Sequence, residues 1–256
     1  MDISVSELSA PVQSANESQH ENSRQGKQRM AGLSNIYQVF GIAEQEDMPS
    51  ENSCHYRVVR SGVAIFGLGD HVSNIYFVVS GTVKTAFEHE GELFISEFAT
   101  TGDILGLDGV DNLTHANTCI ALSDVALLCL PYPTFIFYSQ KYERFNSAVM
   151  KKIGERINRK KMFVEVMARA NAETKVAFLL TYLSIKSGSA NRPAEVIDLG
   201  ISRIDIASHL GLAYETVVRT LGNLRSNRII SLQGRAIRIE KPIALQQLCS
   251  GYIRGL

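Results

Sequence analysis

From residue 55 to about residue 130 apolar and polar positions alternate with a period of two, and from 134 onward the period lengthens to that of a helix. The first region contains the runs YRVV, AIF, NIYFVVSGTVKTAF, ELFISEFA, NTCIALS and VALLCLPY, rich in β-branched and aromatic residues. Turn signals separate them at Ser61-Gly62, Gly67-Leu68-Gly69-Asp70, Ser80-Gly81, His89-Glu90-Gly91 and Thr101-Gly102-Asp103. Many short strands at even spacing predict an antiparallel sandwich or barrel. Upstream, residues 1–30 are dominated by Ser, Gln, Asn and Glu and read as a disordered tail. Residues 31–45 have the pattern of a short amphipathic helix, and 47–53 read as a loop.

In the helical region Val149, Ile153, Ile157, Lys160, Val164 and Met167 fall at steps of four and three, the spacing of a coiled-coil seam. Lys151, Lys152, Arg159 and Lys161 lie off that seam. A long helix with one apolar stripe between two domains suits a partner helix. The same pattern would also serve a helix lying on its own β-domain. A second helical stretch, 172–187, ends at Gly188, and the polar loop Ser187–Glu195 follows.

Residues 202–239 then read as helix, glycine turn, helix and hairpin. Ser202 with Asp205 three residues later resembles a capping box and predicts a helix beginning at Arg203. Gly211-Leu212 makes the turn. A second helix from about Tyr214 to Ser226 directs Val217, Leu221 and Leu224 inward, and Ile229–Ile239 folds back around Gln233-Gly234-Arg235. On the outward face of that second helix stand Tyr214, Glu215, Val218 and Arg219. Glu215 and Arg219 are four apart and therefore share a face. Such a pair is ordinarily a solvated ion pair worth a few tenths of a kcal/mol. At the start of the second helix of a helix–turn–helix it has another use. A carboxylate accepts from cytosine N4, and a guanidinium fork matches guanine O6 and N7.

Charge adds weight to that use. The formal net charge is zero, but residues 1–140 hold 6 Lys+Arg against 17 Asp+Glu, and residues 141–256 hold 20 against 9. The basic half is the one expected to meet a polyanion. No apolar run approaches the roughly 18 residues of a membrane span. The opening residues lack a basic-then-apolar signal, so a cytoplasmic protein is expected. Cys54, Cys119, Cys129 and Cys249 are far apart without a C-x-x-C pair, as in a reduced protein. Enzyme signatures such as G-x-S-x-G, a Walker sequence or H-E-x-x-H do not occur, and no catalytic site is expected.

Three segments together resemble the CRP/FNR family of bacterial transcription regulators, over about residues 55–245. They are F-x-x-G-D-x-x-x-x-I-Y-F-V-V-S-G-T-V-K with T-G-D-I-L-G-L-D, then N-A-E-T-K-V-A-F-L-L-T-Y-L-S, then S-R-I-D-I-A-S-H-L-G-L-A-Y-E-T-V-V-R. The resemblance implies an α+β chain: a tail (1–30), a cyclic-nucleotide-binding-like β-roll sensor (31–140), a dimerisation helix (141–171) and a C-terminal winged helix-turn-helix (172–256). It implies a homodimeric transcription regulator, an activator in its leading form, that reads double-stranded DNA and contacts RNA polymerase. Repression by promoter occlusion would use the same contacts. Glu215 and Arg219 would read bases, with Tyr214, Thr216, Val218, Ser202 and Arg203 as neighbouring DNA contacts. The turn at His89-Glu90-Gly91 and the loop Ser187–Glu195 would face the polymerase.

Two departures stand out: Ala213 replaces a capping hydroxyl residue, and Val218 stands where the FNR branch has Ser. A half-site related to TTGAT is therefore expected, with its outer positions open.

The family's ligands are not expected here. The CRP branch holds cyclic AMP with a Gly-Glu and an Arg-Ser pair, where this chain reads Gly106-Leu107-Asp108-Gly109 and His115-Ala116-Asn117-Thr118, without an arginine. The FNR branch holds an iron–sulfur cluster, which needs four thiolates, and no cysteine precedes Cys54. The chain looks more like cysteine-poor offshoots that respond to nitric oxide, redox state or expression level. Haem on His55, His71, His89, His115 or Cys54, or a Cys54–His55 redox pair, is the alternative sensor chemistry. A lone His on a β-domain is ordinarily a surface or hydrogen-bonded residue, so no cofactor is assigned. Cys119, Cys129 and Cys249 lie in apolar runs and read as packing residues.

Overall fold

The computed structural model describes residues 54–253 apart from 91, 189–192 and 198–199. The expected tail at 1–30, the helix at 31–45 and the loop at 47–53 lie outside the described residues, as does part of the Ser187–Glu195 loop.

Eight strands come first: β1 (His55–Val59), β2 (Ala64–Phe66), β3 (Asn74–Ser80), β4 (Thr82–His89), β5 (Glu92–Thr100), β6 (Ile104–Leu105), β7 (Thr118–Ala121) and β8 (Val125–Pro131). They make two antiparallel four-stranded sheets, ordered β1-β8-β3-β6 and β2-β7-β4-β5. The inner faces meet over Val59, Ile65, Phe66, Val78, Val83, Leu105 and Leu127, with the thiols of Cys119 and Cys129 inside. Each such aliphatic or aromatic side chain contributes about 1.5–3 kcal/mol on burial.

Both outer faces are also covered, so strands such as NIYFVVS are buried on two sides and read as near-continuous apolar runs. On the first sheet lie α1 (Tyr132–Lys141) and the start of α2 (Glu143–Arg169), packed through Phe135, Tyr138, Phe145 and Val149 against Ile75, Phe77 and Leu128. The helical pattern of 134–170 is thus two helices rather than one. Tyr142, at φ −115° and ψ 104°, breaks it, and its ring packs on Tyr138 at 5.4 Å between centroids.

On the second sheet lies the C-terminal half: α3 (Ala172–Ser187), β9 (Val196–Ile197), α4 (Arg203–Leu210), α5 (Tyr214–Ser226), β10 (Ile230–Gln233), β11 (Ala236–Ile239) and α6 (Pro242–Gln247). Its centre is α3, in which Val176 to Ser184 is buried without a break. A helix apolar all round must be enclosed. Ala86, Ile95 and Phe98 of the sheet belong to the same hydrophobic cluster as α3, α4, α5 and the wing. The β-domain and the C-terminal domain therefore share a core rather than meeting only at a linker. Among the described residues no helix is long and apolar enough to cross a membrane.

Candidate nucleic-acid interface

The capping box is present at α4. Ser202 Oγ accepts from Asp205 N–H at 3.0 Å, and Asp205 Oδ2 accepts from Ser202 N–H at 2.9 Å. Gly211 then takes φ +58°, a left-handed conformation that favours glycine, and the chain turns sharply into α5. Ala213 caps α5 with no side-chain bond. Val217, Thr220, Leu221 and Leu224 hold the inner face of α5 in the core. Its outward face presents Tyr214, Glu215, Val218 and Arg219 to solvent, with Thr216 half-buried beside them. Among the described residues neither Glu215 nor Arg219 has an ion-pair partner within 4.0 Å, so both charged groups are available to a ligand. Arg203 donates from Nη2 to Gly234 O at 3.2 Å, which ties the start of α4 to the turn of the wing between β10 and β11. The residues expected from sequence to contact DNA thus lie on α5 and at the partly exposed start of α4.

The expected seam on α2 divides. Val149 is 1% exposed inside the β-domain's own cluster, and Ile153 packs against that cluster. Met167 packs on the C-terminal core. These three serve their own chain, which corrects the reading of one continuous stripe. Ile157, Lys160 and Val164 remain outward, and Met150 joins them. Met150, Ile157 and Val164 are 54%, 61% and 68% exposed at intervals of seven residues. At 100° per residue they lie roughly 80° around the helix from Val149 and Met167. The sequence stripe was broad enough to cover two faces, one used internally and one left open. The basic charge divides as well. Residues 141–170 carry 9 Lys+Arg against 3 Asp+Glu, and residues 171–256 carry 11 against 6. Part of the helix's share is matched by the β-domain, through Arg156–Glu97 at 2.6 Å and Arg159–Asp103 at 3.5 Å.

Residues 174–248 match a model described as a Crp-like helix-turn-helix domain, and residues 56–142 match a cyclic nucleotide-binding domain. The fumarate and nitrate reduction regulatory protein of Yersinia pestis is 30% identical over 191 residues, 74% of this chain and 76% of that protein. The chain belongs to the CRP/FNR family. The resemblance lies with the FNR branch. The anaerobic regulatory protein of Pasteurella multocida is 28% identical over 84% of this chain and 80% of the relative. The fold agrees with that of FixK2 from Bradyrhizobium japonicum, at a TM-score of 0.69 over 76% of this chain and 96% of that one, with 22% identity. The chain is a DNA-binding transcription regulator.

At the family's ligand positions the described side chains have partners of their own. Where the CRP branch would meet a phosphate, Asp108 Oδ2 already accepts the N–H groups of Ala116 at 3.0 Å and Asn117 at 3.1 Å, and the Asn117 side-chain amide at 3.3 Å. His115 Nδ1 lies 3.3 Å from the other oxygen, its ring buried and stacked on Phe66 at 3.8 Å. A partly buried carboxylate already occupies these donors, and a second anion there would meet a like charge. The four cysteines are dispersed through the fold. Burial pushes the Cys129 thiol up to about 12 and the Cys119 thiol higher still, and both point between the sheets. Cys249 is buried in the C-terminal core, and Cys54 packs on the opposite side of the β-domain. His55, His71 and His89 are exposed, and His115 is engaged as described.

The sequence reading missed Lys84, Asp103, Lys186, Ser208 and His209. The turn Thr101-Gly102-Asp103 is more than a turn: Asp103 receives the Lys186 ammonium from α3 as well as Arg159 from α2. One signal was visible, since Lys84 is the single Lys or Arg in residues 61–140.

Proposed function

We propose that this chain regulates transcription as a homodimer whose two α5 helices enter successive major grooves of near-palindromic DNA, about 34 Å apart, at half-sites related to TTGAT. The observation that carries this reading is the outward face of α5, where Glu215 and Arg219 are exposed beside Tyr214 and Val218, without an ion-pair partner among the described residues. A Val218 methyl would suit a thymine C5-methyl, and Arg219 a guanine. The exposed heptad of Met150, Ile157 and Val164 supports self-association through α2. Activation would run through RNA polymerase at the β4–β5 tip, where Phe87 and Leu93 are exposed beside His89 and Glu90, and at the loop Ser187–Glu195. The regulator works in the cytoplasm without a resident cofactor, since neither the Asp108-filled loop nor the buried thiols suit one.

The test is titration of the purified protein into a duplex with inverted TTGAT repeats and into a scrambled duplex at fixed salt, with an absorption spectrum of the same sample. A preference of about a thousandfold or more is expected, with no haem or cluster bands. Equal affinity for both duplexes would overturn the reading, and a haem or cluster band would overturn its cofactor part.

A further inference from the structure

The C-terminal domain is fastened to the β-domain of its own chain along one strand. In the second sheet β5 is an edge strand, and an edge leaves backbone donors and acceptors unpaired. Here α4 supplies their partners. Ser208 Oγ accepts from Ile95 N–H at 3.0 Å and donates to Leu93 O at 2.8 Å, and His209 Nδ1 bonds Ile95 O at 3.0 Å. A carbonyl can only accept, so the proton of neutral His209 sits on Nδ1. A bulge in the β4–β5 ladder, between Thr85 and Ala86, lies beside Ile95. The His209 ring is wedged between Phe98 of β5, at 4.8 Å, and Phe163 of α2, at 4.4 Å.

Ionic ties flank this seam. Lys84 of β4 donates to Asp205 Oδ1 at 2.6 Å, with side chains 17% and 10% exposed. Lys186 at the end of α3 is held by Asp103 and also bonds Tyr182 Oη at 3.1 Å. Before α4 the backbone passes so close to the β7–β8 turn that a Cβ on Gly200 would lie 2.5 Å from Leu122 O, at φ +69°. None of these contacts covers α5, whose outward residues stay exposed. The arrangement orients the reader without blocking it. Because α4 and α5 share one core and meet at the Gly211 turn, a tilt of α4 on β5 tilts α5 with it.

We infer that Lys84, Ser208 and His209 are positioning residues that set the angle of α5 relative to α2, and so fix the spacing of the two half-sites a dimer accepts without touching base preference. The inference rests on the dimeric DNA-reading function proposed above and specifies how that function is tuned. A signal or partner acting on β4–β5 would change spacing through these bonds.

The test uses full-length protein with Lys84→Met, Ser208→Ala and the double variant. None of these residues belongs to the DNA-contacting set. Binding is measured to inverted TTGAT repeats with the spacer lengthened and shortened one base pair at a time, and to a single half-site. Wild type is expected to favour one spacing by about tenfold or more, the scale of ordinary interdomain coupling. The double variant is expected to retain half-site binding, circular dichroism and dimer mass while its spacing preference flattens, and the conservative single variant Lys84→Arg is expected to keep the wild-type profile. An unchanged spacing profile in the double variant would overturn the clamp alone. A uniform loss at every spacing and at the half-site would also overturn it, because the contacts would then serve only folding. A wild type indifferent to half-sites would overturn the functional reading and the clamp with it.

Discussion

Ile157→Glu is expected to convert the protein to monomers. In a single chain Ile157 is 61% exposed, midway between Met150 and Val164 on the open stripe of α2. Fully burying an isoleucine contributes about 1.5–3 kcal/mol, so covering the exposed three-fifths contributes about 1–2 kcal/mol per protomer and about 2–4 for a twofold pair. The carboxylate removes that gain and adds a desolvation cost of a few kcal/mol for each unpaired charge brought to the axis. A combined loss of roughly 6 kcal/mol or more weakens the dimer well over a thousandfold. The helix of the monomer should not suffer, because Lys160 and Lys161 lie three and four residues on and can pair in solvent with the new carboxylate. Sedimentation velocity at micromolar concentration reads the outcome. Val58→Glu is the control, since Val58 is 70% exposed on β1, away from the stripe. A dimer that survives Ile157→Glu, or one that dissociates equally with Val58→Glu, would refute the assignment of this stripe. Loss of the dimer should also remove the avidity of a paired site.

Two further outcomes follow from the buried groups. Burial holds the His209 imidazole below its usual range, with Glu97 of β5 favouring the charged form and Lys160 of α2 opposing it. As pH falls through the ordinary imidazole value of about 6.5, the unfolded chain takes up a proton that the folded chain refuses. Stability should therefore decline below that pH and be flat above it. Thermal unfolding of His209→Gln, compared with wild type across this window, should show a shallower decline, and identical slopes would contradict the burial argument. Cys119 and Cys129, enclosed between the sheets with thiols far from ionising, should resist alkylation in native protein at mildly alkaline pH and react on unfolding. Mass spectrometry of native and denatured samples checks this, and native labelling of either residue would count against the packing.

The reading head was legible because its signals are local. Ser202 and Asp205 announce a cap within three residues, Gly211 marks the turn, and the bounds of α5 at Tyr214 and Ser226 agree with the sequence pattern. The strands were legible for the same reason, except β6 and β9, each of two residues and too short to show alternation. The fastening of α4 to β5 was not legible. Lys84 and Asp205 are 121 residues apart and Ser208 is 113 from Ile95, and no periodicity links positions at such separation. The α2 seam was partly legible. A stripe marks apolar positions without saying whether the partner is the chain's own sheet, as for Val149, or something outside it, as for Ile157. Tyr142, which ends one helix and begins another, carries no breaker residue that would have marked the interruption.

The central claim is that the outward face of α5 reads base edges. Selection of bound duplexes from a random pool by wild type and by Arg219→Ala tests it most directly. Wild type should return inverted repeats containing one G·C pair per half-site that the variant no longer requires, at a cost of about 1–3 kcal/mol in specific binding. Identical selected sequences from both proteins would contradict the account.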